Sequence, residues 1–339
     1  MKYRELWLAA LVSIAAVALM GSAADAQPKP IAACGTTISV AGSYILNANL
    51  TATSTTVNCI NVTAIGVTIN LNGFALTGKG GTADGIASSQ AALTTSNGAV
   101  SGFSVGISVT GSASVLTKLS VFGNIKTGAK LASYARVSDS QFQGNGTGGS
   151  GDGLDVGQNA VVTHCVFSTN KGYGLNAYGG GVVVVGNTAS NNTVTGFETN
   201  GSSVLKDNTA TGNTVRGFCD DCGGGKGSTF KSNVATGNGN SGIEFFASTA
   251  ISNNASNNGD FGIADDGLST VANNTANNNT FDGLVSSDLS TFTGNTGSAN
   301  GRYGFNINCP VNLIGNTAVG DPSGDHITVG CNSLDNLGF

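Results

Sequence analysis

Between residues 187 and 305 one pattern of apolar and polar positions is written six times: NTASNNTVTGF, NTATGNTVRGF, NVATGNGNSGI, NNASNNGDFGI, NTANNNTFDGL and NTGSANGRYGF. Each copy is made of short strand-like pieces separated by Asn, Gly and Ser, and none follows a 3.6-residue period. Set in columns, the copies align Asn187, Asn208, Asn233, Asn253, Asn274 and Asn295, then Asn192, Asn213, Asn238, Asn258, Asn279 and Asn300. A third column holds the glycine of a Gly-apolar pair, from Gly196 to Gly304, in steps of 21, 25, 20, 21 and 21 residues. A period of this length without helices or a leucine framework predicts a β-solenoid with about three strands per coil.

The pattern also predicts which way each column faces. Parallel coils stack about 4.8 Å apart, so a column becomes a ladder along the axis. Phe197, Phe218, Ile243, Ile263, Leu284 and Phe305 then point inward, as do Leu205, Phe230, Ala250, Val271, Phe292 and Leu313. The Asn columns are read as structural ladders, amide bonded to amide, because turns closed inside a coil would otherwise bury unpaired polar groups.

The earlier part of the chain extends the coil less regularly, with the glycine column at Gly85, Gly106, Gly128, Gly153 and Gly174. Two long steps carry extra loops, at 144–152 and 219–227, and extra residues in a repeat form loops on one flank. The division expected is a signal peptide at 1–26, a cap with the first coils at 27–80, a β-helix at 81–331 and a tail at 332–339. One long domain is expected, with a continuous core of about a dozen coils.

The stretch CGTTISVAGSYILNANL, followed by NVTAIGVTINLNGFALTG, resembles the opening of secreted bacterial right-handed parallel β-helix proteins of the pectate-lyase-like superfamily. The later N-x-A…N…G-apolar coils are similar to the generic repeats of that family. The resemblance implies an all-β fold, a single right-handed parallel β-helix, and engagement of an extracellular polysaccharide or cell-surface glycan. Folds of this kind host many activities, so the site has to argue the function. The joined catalytic motifs of polygalacturonases and alginate epimerases do not occur in the chain.

Composition narrows the setting. Lys2 and Arg4, an apolar stretch from Leu6 to Gly21, and Ala24-Asp25-Ala26 form the three parts of a secretory signal peptide, with a secreted or periplasmic product. Trp7, Met1 and Met20 are the only Trp and Met residues, so the mature chain has neither. With 10% charged residues and a net charge of −5, nucleic acid and anionic membranes are poor partners, and nothing after the signal could insert in a bilayer. Seven cysteines in an exported chain favour disulfides with one left over. Cys309 with Cys331 and Cys34 with Cys59 are each about one coil apart, which holds their Cα atoms within disulfide range. Cys219 and Cys222 form a CxxC, and Cys165, in the first Asn column, is the expected free thiol.

Candidate chemistry gathers in the strand after the glycine column. Two residues past the glycine come Asp155, Asn176, Glu198, Cys219, Glu244 and Ala264, and close behind lie Asp220-Asp221 and Asp265-Asp266. Like charges stacked at coil spacing repel, so such a patch calls for a proton, a cation or a purpose. Two coils separate the Asp pairs by about 9.6 Å, near the carboxylate spacing of inverting glycosidases. On this basis Glu198, Glu244, Asp220, Asp265 and Arg216 are the catalytic candidates, for elimination or hydrolysis. Asp155, Asn176, Tyr173 and Tyr178 are the substrate-binding candidates, and Tyr303 is a third tyrosine able to stack on a sugar. Asp221 and Asp266 are candidate Ca2+ ligands. Asp and Asn equally suit turns, which makes a non-catalytic structural or adhesive coil the rival reading. His164 and His326 lie far apart along the coil and do not form a metal pair.

Overall fold

The computed structural model describes residues 27–220 and 226–338. Among them every regular element is a β-strand, most of three residues, and neighbouring strands pair in parallel. The strands fall into a 14-stranded sheet, one strand per coil, and a 23-stranded sheet carrying the other two walls. Thr94–Ser101 and Val115–Phe122 run unbroken through the corner between those two walls and join them into one sheet. The molecule is therefore a single parallel β-solenoid of about fourteen coils, a little longer than the dozen expected.

One local rule builds all three corners. The chain turns at a residue in the left-handed region, and the next side chain points into the coil. In one coil these pairs are Asp207 (φ 56°) with Asn208, Gly212 (φ 63°) with Asn213, and Gly227 (φ 81°) with Ser228. Gly, Asn and Asp enter that region at least cost, which explains the doublets GN, DN and NN in the repeat.

The inward residues then satisfy the corner. Asn187, Asn208, Asn233, Asn253, Asn274, Asn295, Asn316 and Asn336 form one ladder, each backbone N–H and Nδ2 donating to Oδ1 of the next at 2.8–3.1 Å. Cys165 stands at the head of this ladder, buried and free, its N–H donating to Asn187 Oδ1. A second ladder runs from Asn124 through Asn213 and Asn300 to Asp321. A third, absent from the sequence expectation, links Ser203, Ser228, Ser248, Ser269 and Ser290 through backbone N–H to Oγ bonds.

Between the ladders the core is apolar and continuous. All twelve residues expected inside from Phe197 to Phe305 and from Leu205 to Leu313 are buried. Phe142, Phe167, Phe197, Phe218, Phe230 and Phe245 touch in sequence, with ring centroids 5.0–6.4 Å apart, alternately stacked and edge-on. Such pairs add to the burial term and give the core a single packing.

Both ends are stapled. Disulfides join Cys34 to Cys59 and Cys309 to Cys331, with Cα separations of 4.0 and 5.0 Å. Cys219 is also disulfide-bonded and buried. Its expected partner Cys222 lies outside the described residues, as do Asp221 and the expected signal peptide at 1–26. One boundary differs from expectation. The stretch read as a tail contributes a last strand, Asn332–Leu334, paired with Asn312–Ile314. The last rung also ends the glycine column: His326 pairs with Asn306, which sets Gly324 opposite Gly304. The last coil lacks the Gly-apolar pair, so its register is invisible in the repeat.

Candidate functional site

The 14-stranded sheet presents one outward residue per coil at the centre of each strand. Register pairs Lys130 with Asp155, Asp155 with Asn176, Asn176 with Glu198, Glu198 with Cys219 and Cys219 with Glu244. The expected column is thus a real row along one wall. The corner before each strand adds a second row, in which Asp152, Tyr173 and Arg216 precede the column glycines.

Strand alternation divides the expected acids. Asp220 and Asp265 flank Phe245 in the next column, which faces the interior, and both are buried at 0–1% exposure. Asp220 Oδ1 accepts Thr199 Oγ1–H at 2.8 Å and the Gly201 N–H at 2.9 Å. Asp265 accepts the Gly267 N–H at 2.9 Å and the hydroxyls of Ser286 and Ser290. These two carboxylates replace apolar side chains in the core and are solvated by its hydroxyls. They do not face the outer wall or a substrate, so the pairing read as a glycosidase spacing is an internal one. Asp266 is exposed on the other side of the backbone from Asp265, so the two do not converge. Among the described residues no three His, Cys, Asp or Glu side chains are grouped to hold a metal ion.

Four of the remaining candidates come together, and Asp155, Arg216 and Glu244 lie outside their pocket. Tyr173, Asn176, Tyr178 and Glu198, with Thr199 and Asn200, line a pocket of about 180 Å³. Tyr173 is shared with an adjoining groove of about 560 Å³, whose walls include Lys126, Lys171, Asp152 and the 148–151 part of the expected loop. Lys126, Lys171 and Asp152 were not singled out in the sequence. Their signal was the 25-residue coil step, which marks the loop but not which of its neighbours it encloses.

Burial and charge set the protonation of this wall. Burial raises the Glu198 carboxyl to about 8, against the lowering effect of Arg216, with Glu244 and Asp220 pushing further up. Its Oε2 is buried without a hydrogen-bond partner. Arg216 is engaged elsewhere, its Nε donating to Glu244 Oε2 in an ion pair. Burial also raises Asp155 to about 8, reinforced by a hydrogen bond and a like charge from Asp152. Asp152 in turn accepts the Tyr173 N–H at 2.8 Å and Asn176 Nδ2–H at 3.4 Å. Tyr173 is shifted up by burial and by the charges of Glu198 and Asp152. Tyr178, also raised by burial, donates its hydroxyl to the Leu131 carbonyl at 3.2 Å, which fixes its ring over the wall. Burial thus favours the protonated form of two carboxyls on a wall that also carries two phenols. Such a set can donate protons to bound oxygens.

Comparison with known proteins bears on the fold. The family described as "Right handed beta helix region" matches residues 105–258. The A-module of Azotobacter vinelandii mannuronan C-5 epimerase AlgE4 superposes with a TM-score of 0.56 at 15% identity, covering 88% of this chain and 90% of that one. The AlgE6 A-module from the same organism gives 0.52 at 14% identity, covering 96% and 93%. No curated protein matches by sequence. The chain is a right-handed parallel β-solenoid, as expected, and at these identities the likeness speaks for the fold alone.

Proposed function

We propose that this is an exported polysaccharide-binding protein whose ligand lies along the outward face of the 14-stranded sheet, over Tyr173, Asn176, Tyr178 and Glu198. The observation that carries the reading is that these four side chains line one pocket, and that Tyr173 also lines the Lys126–Lys171 groove. Tyrosine rings give a sugar an apolar face, Asn176 offers donor and acceptor, and the two lysines suit a sugar carboxylate. Glu198, neutral and without a partner for Oε2, is the acid able to protonate a leaving oxygen in hydrolysis or elimination. The structural neighbours act on mannuronan by their names, which makes an acidic polysaccharide the first ligand to try. The disulfides stapling both ends favour an oxidising compartment, secreted or periplasmic.

A non-catalytic binding or adhesive role is the second reading, favoured by the internal placement of Asp220 and Asp265 and by the capture of Arg216 by Glu244. One experiment separates the two. The mature protein is incubated with mannuronan, pectate and neutral glycans, following ultraviolet absorbance of unsaturated ends, reducing ends and thermal shift. Product lost in Glu198→Gln identifies catalysis at this pocket. A thermal shift without product identifies binding alone, and no response to any glycan overturns the polysaccharide reading.

A further inference from the structure

Six rungs beyond Tyr173, the corner row of the same wall reaches Tyr303, about 29 Å away at the ordinary strand spacing. Around it lies a second polar and aromatic cluster that the repeat did not reveal. Asp282 is wholly buried and receives Arg302 through Nε at 2.8 Å and Nη2, and Asn306 Nδ2 at 2.8 Å. The guanidinium so held lies 4.9 Å from the Tyr303 ring centre and 5.8 Å from that of Phe281. The Tyr303 ring in turn packs 5.4 Å from His326. Rings and guanidinium form a row of π faces, rigid because a buried carboxylate anchors its middle.

The anchor also fixes the histidine. An Asp carboxylate paired with Arg302 accepts only, so Asn306 turns its Nδ2 towards Asp282. That leaves Asn306 Oδ1 facing His326 Nδ1 at 3.1 Å. Nδ1 must then carry the proton, and Nε2 keeps a lone pair for a ligand hydroxyl. Arg302 has its cation already matched by Asp282, and Phe281 is 47% exposed, so the row offers faces rather than net charge. Between the two clusters the outward column runs Cys219, Glu244, Ala264 and Val285, with the charge of Glu244 matched by Arg216.

We propose that Phe281, Arg302, Tyr303 and His326 form a second sugar-binding platform, and that one polysaccharide strand spans from the Glu198 pocket to it. A ring stacks on the aromatic row while His326 Nε2 accepts one of its hydroxyls. The proposal rests on the polysaccharide reading above, and its test separates the two.

The test is calorimetric titration with mannuronan oligomers of two lengths, short ones that fill only the Glu198 pocket and long ones that reach six rungs. Wild type is expected to bind long oligomers more tightly. Phe281→Ala and His326→Ala, both at exposed positions, are each expected to weaken the long oligomers by roughly tenfold and leave the short ones unchanged. Phe122→Ala, an exposed phenylalanine on another wall, is expected to change neither. Equal affinity for both lengths, or a length advantage that survives both variants, would overturn the second platform alone. No binding of either length would overturn it together with the polysaccharide reading.

Discussion

The side-chain amide of Asn233 donates to Oδ1 of Asn253, one coil on, across 3.0 Å. The same amide also donates to the Leu205 carbonyl, and Asn233 Oδ1 receives the amide and backbone N–H of Asn208. Replacing Asn233 by Leu therefore strands donors and an acceptor in a dry interior. The expected loss is about 3 kcal/mol, read as a lower midpoint in denaturant unfolding. A midpoint equal to wild type would remove the ladder from the account of stability.

Gly242 has no room for a side chain. A Cβ there would sit 2.7 Å from both Asn258 Nδ2 and the Gly262 carbonyl oxygen. Gly242→Ala must push a ladder amide or the next coil away, and a loss of about 2 kcal/mol is expected. Retention of the wild-type melting temperature would contradict the close approach.

Leu268 occupies a corner with φ 60° while its side chain is 56% exposed. The left-handed conformation costs a branched residue more than it costs glycine. Leu268→Gly is expected to raise stability by about 1 kcal/mol, with its backbone bond to Asp288 kept. A fall in unfolding midpoint would mean that the exposed leucine contributes packing that outweighs the strain.

Asp265 and Glu244, adjacent acids in the repeat, should behave as opposites. Asp265→Ala removes the acceptor of two buried hydroxyls and one backbone N–H and is expected to cost about 3 kcal/mol. Glu244→Gln loosens a partly exposed ion pair and is expected to change stability by less than about 1 kcal/mol. Side-by-side urea titrations measure both, and a reversed order would return Asp265 to the outer wall.

Glu198 makes stability depend on pH in a definite sense. Its folded pKa of about 8 lies above the ordinary carboxyl value, so the native state holds the proton more tightly than the unfolded chain. The contribution is fully present below the ordinary value and is lost as pH rises through about 8. Melting temperature is expected to fall across that window, and Glu198→Gln should flatten the fall. A variant with the wild-type slope would mean that Glu198 ionises freely in the native state.

The solenoid was legible because its ladders are made of one residue type. Six in-register asparagines from Asn187 to Asn295 announce themselves in a column, which the structure extends to Asn316 and Asn336, whereas the serine ladder from Ser203 to Ser290 is diluted by serines elsewhere. The Asp220 and Asp265 misplacement has a physical origin. A buried acid in a core column looks like a surface acid until its hydroxyl partners, Thr199, Ser286 and Ser290, are seen to share the interior. The four pocket residues were all named from the sequence, and the fold brings them to one pocket. Asp152 and the lysines were not, since what a long loop encloses depends on how it folds back.

Because each rung bonds to the next through the same donors and acceptors, the molecule has no unique middle. Excising one whole repeat, such as the 21 residues that separate Asn274 from Asn295, would set Asn253 directly beneath Asn295 and Asn258 beneath Asn300, resealing both asparagine ladders. Length can then change in whole steps of about 4.8 Å without redesign of the walls. The distance between two features on one wall becomes a countable property of the gene, open to adjustment by duplication or deletion.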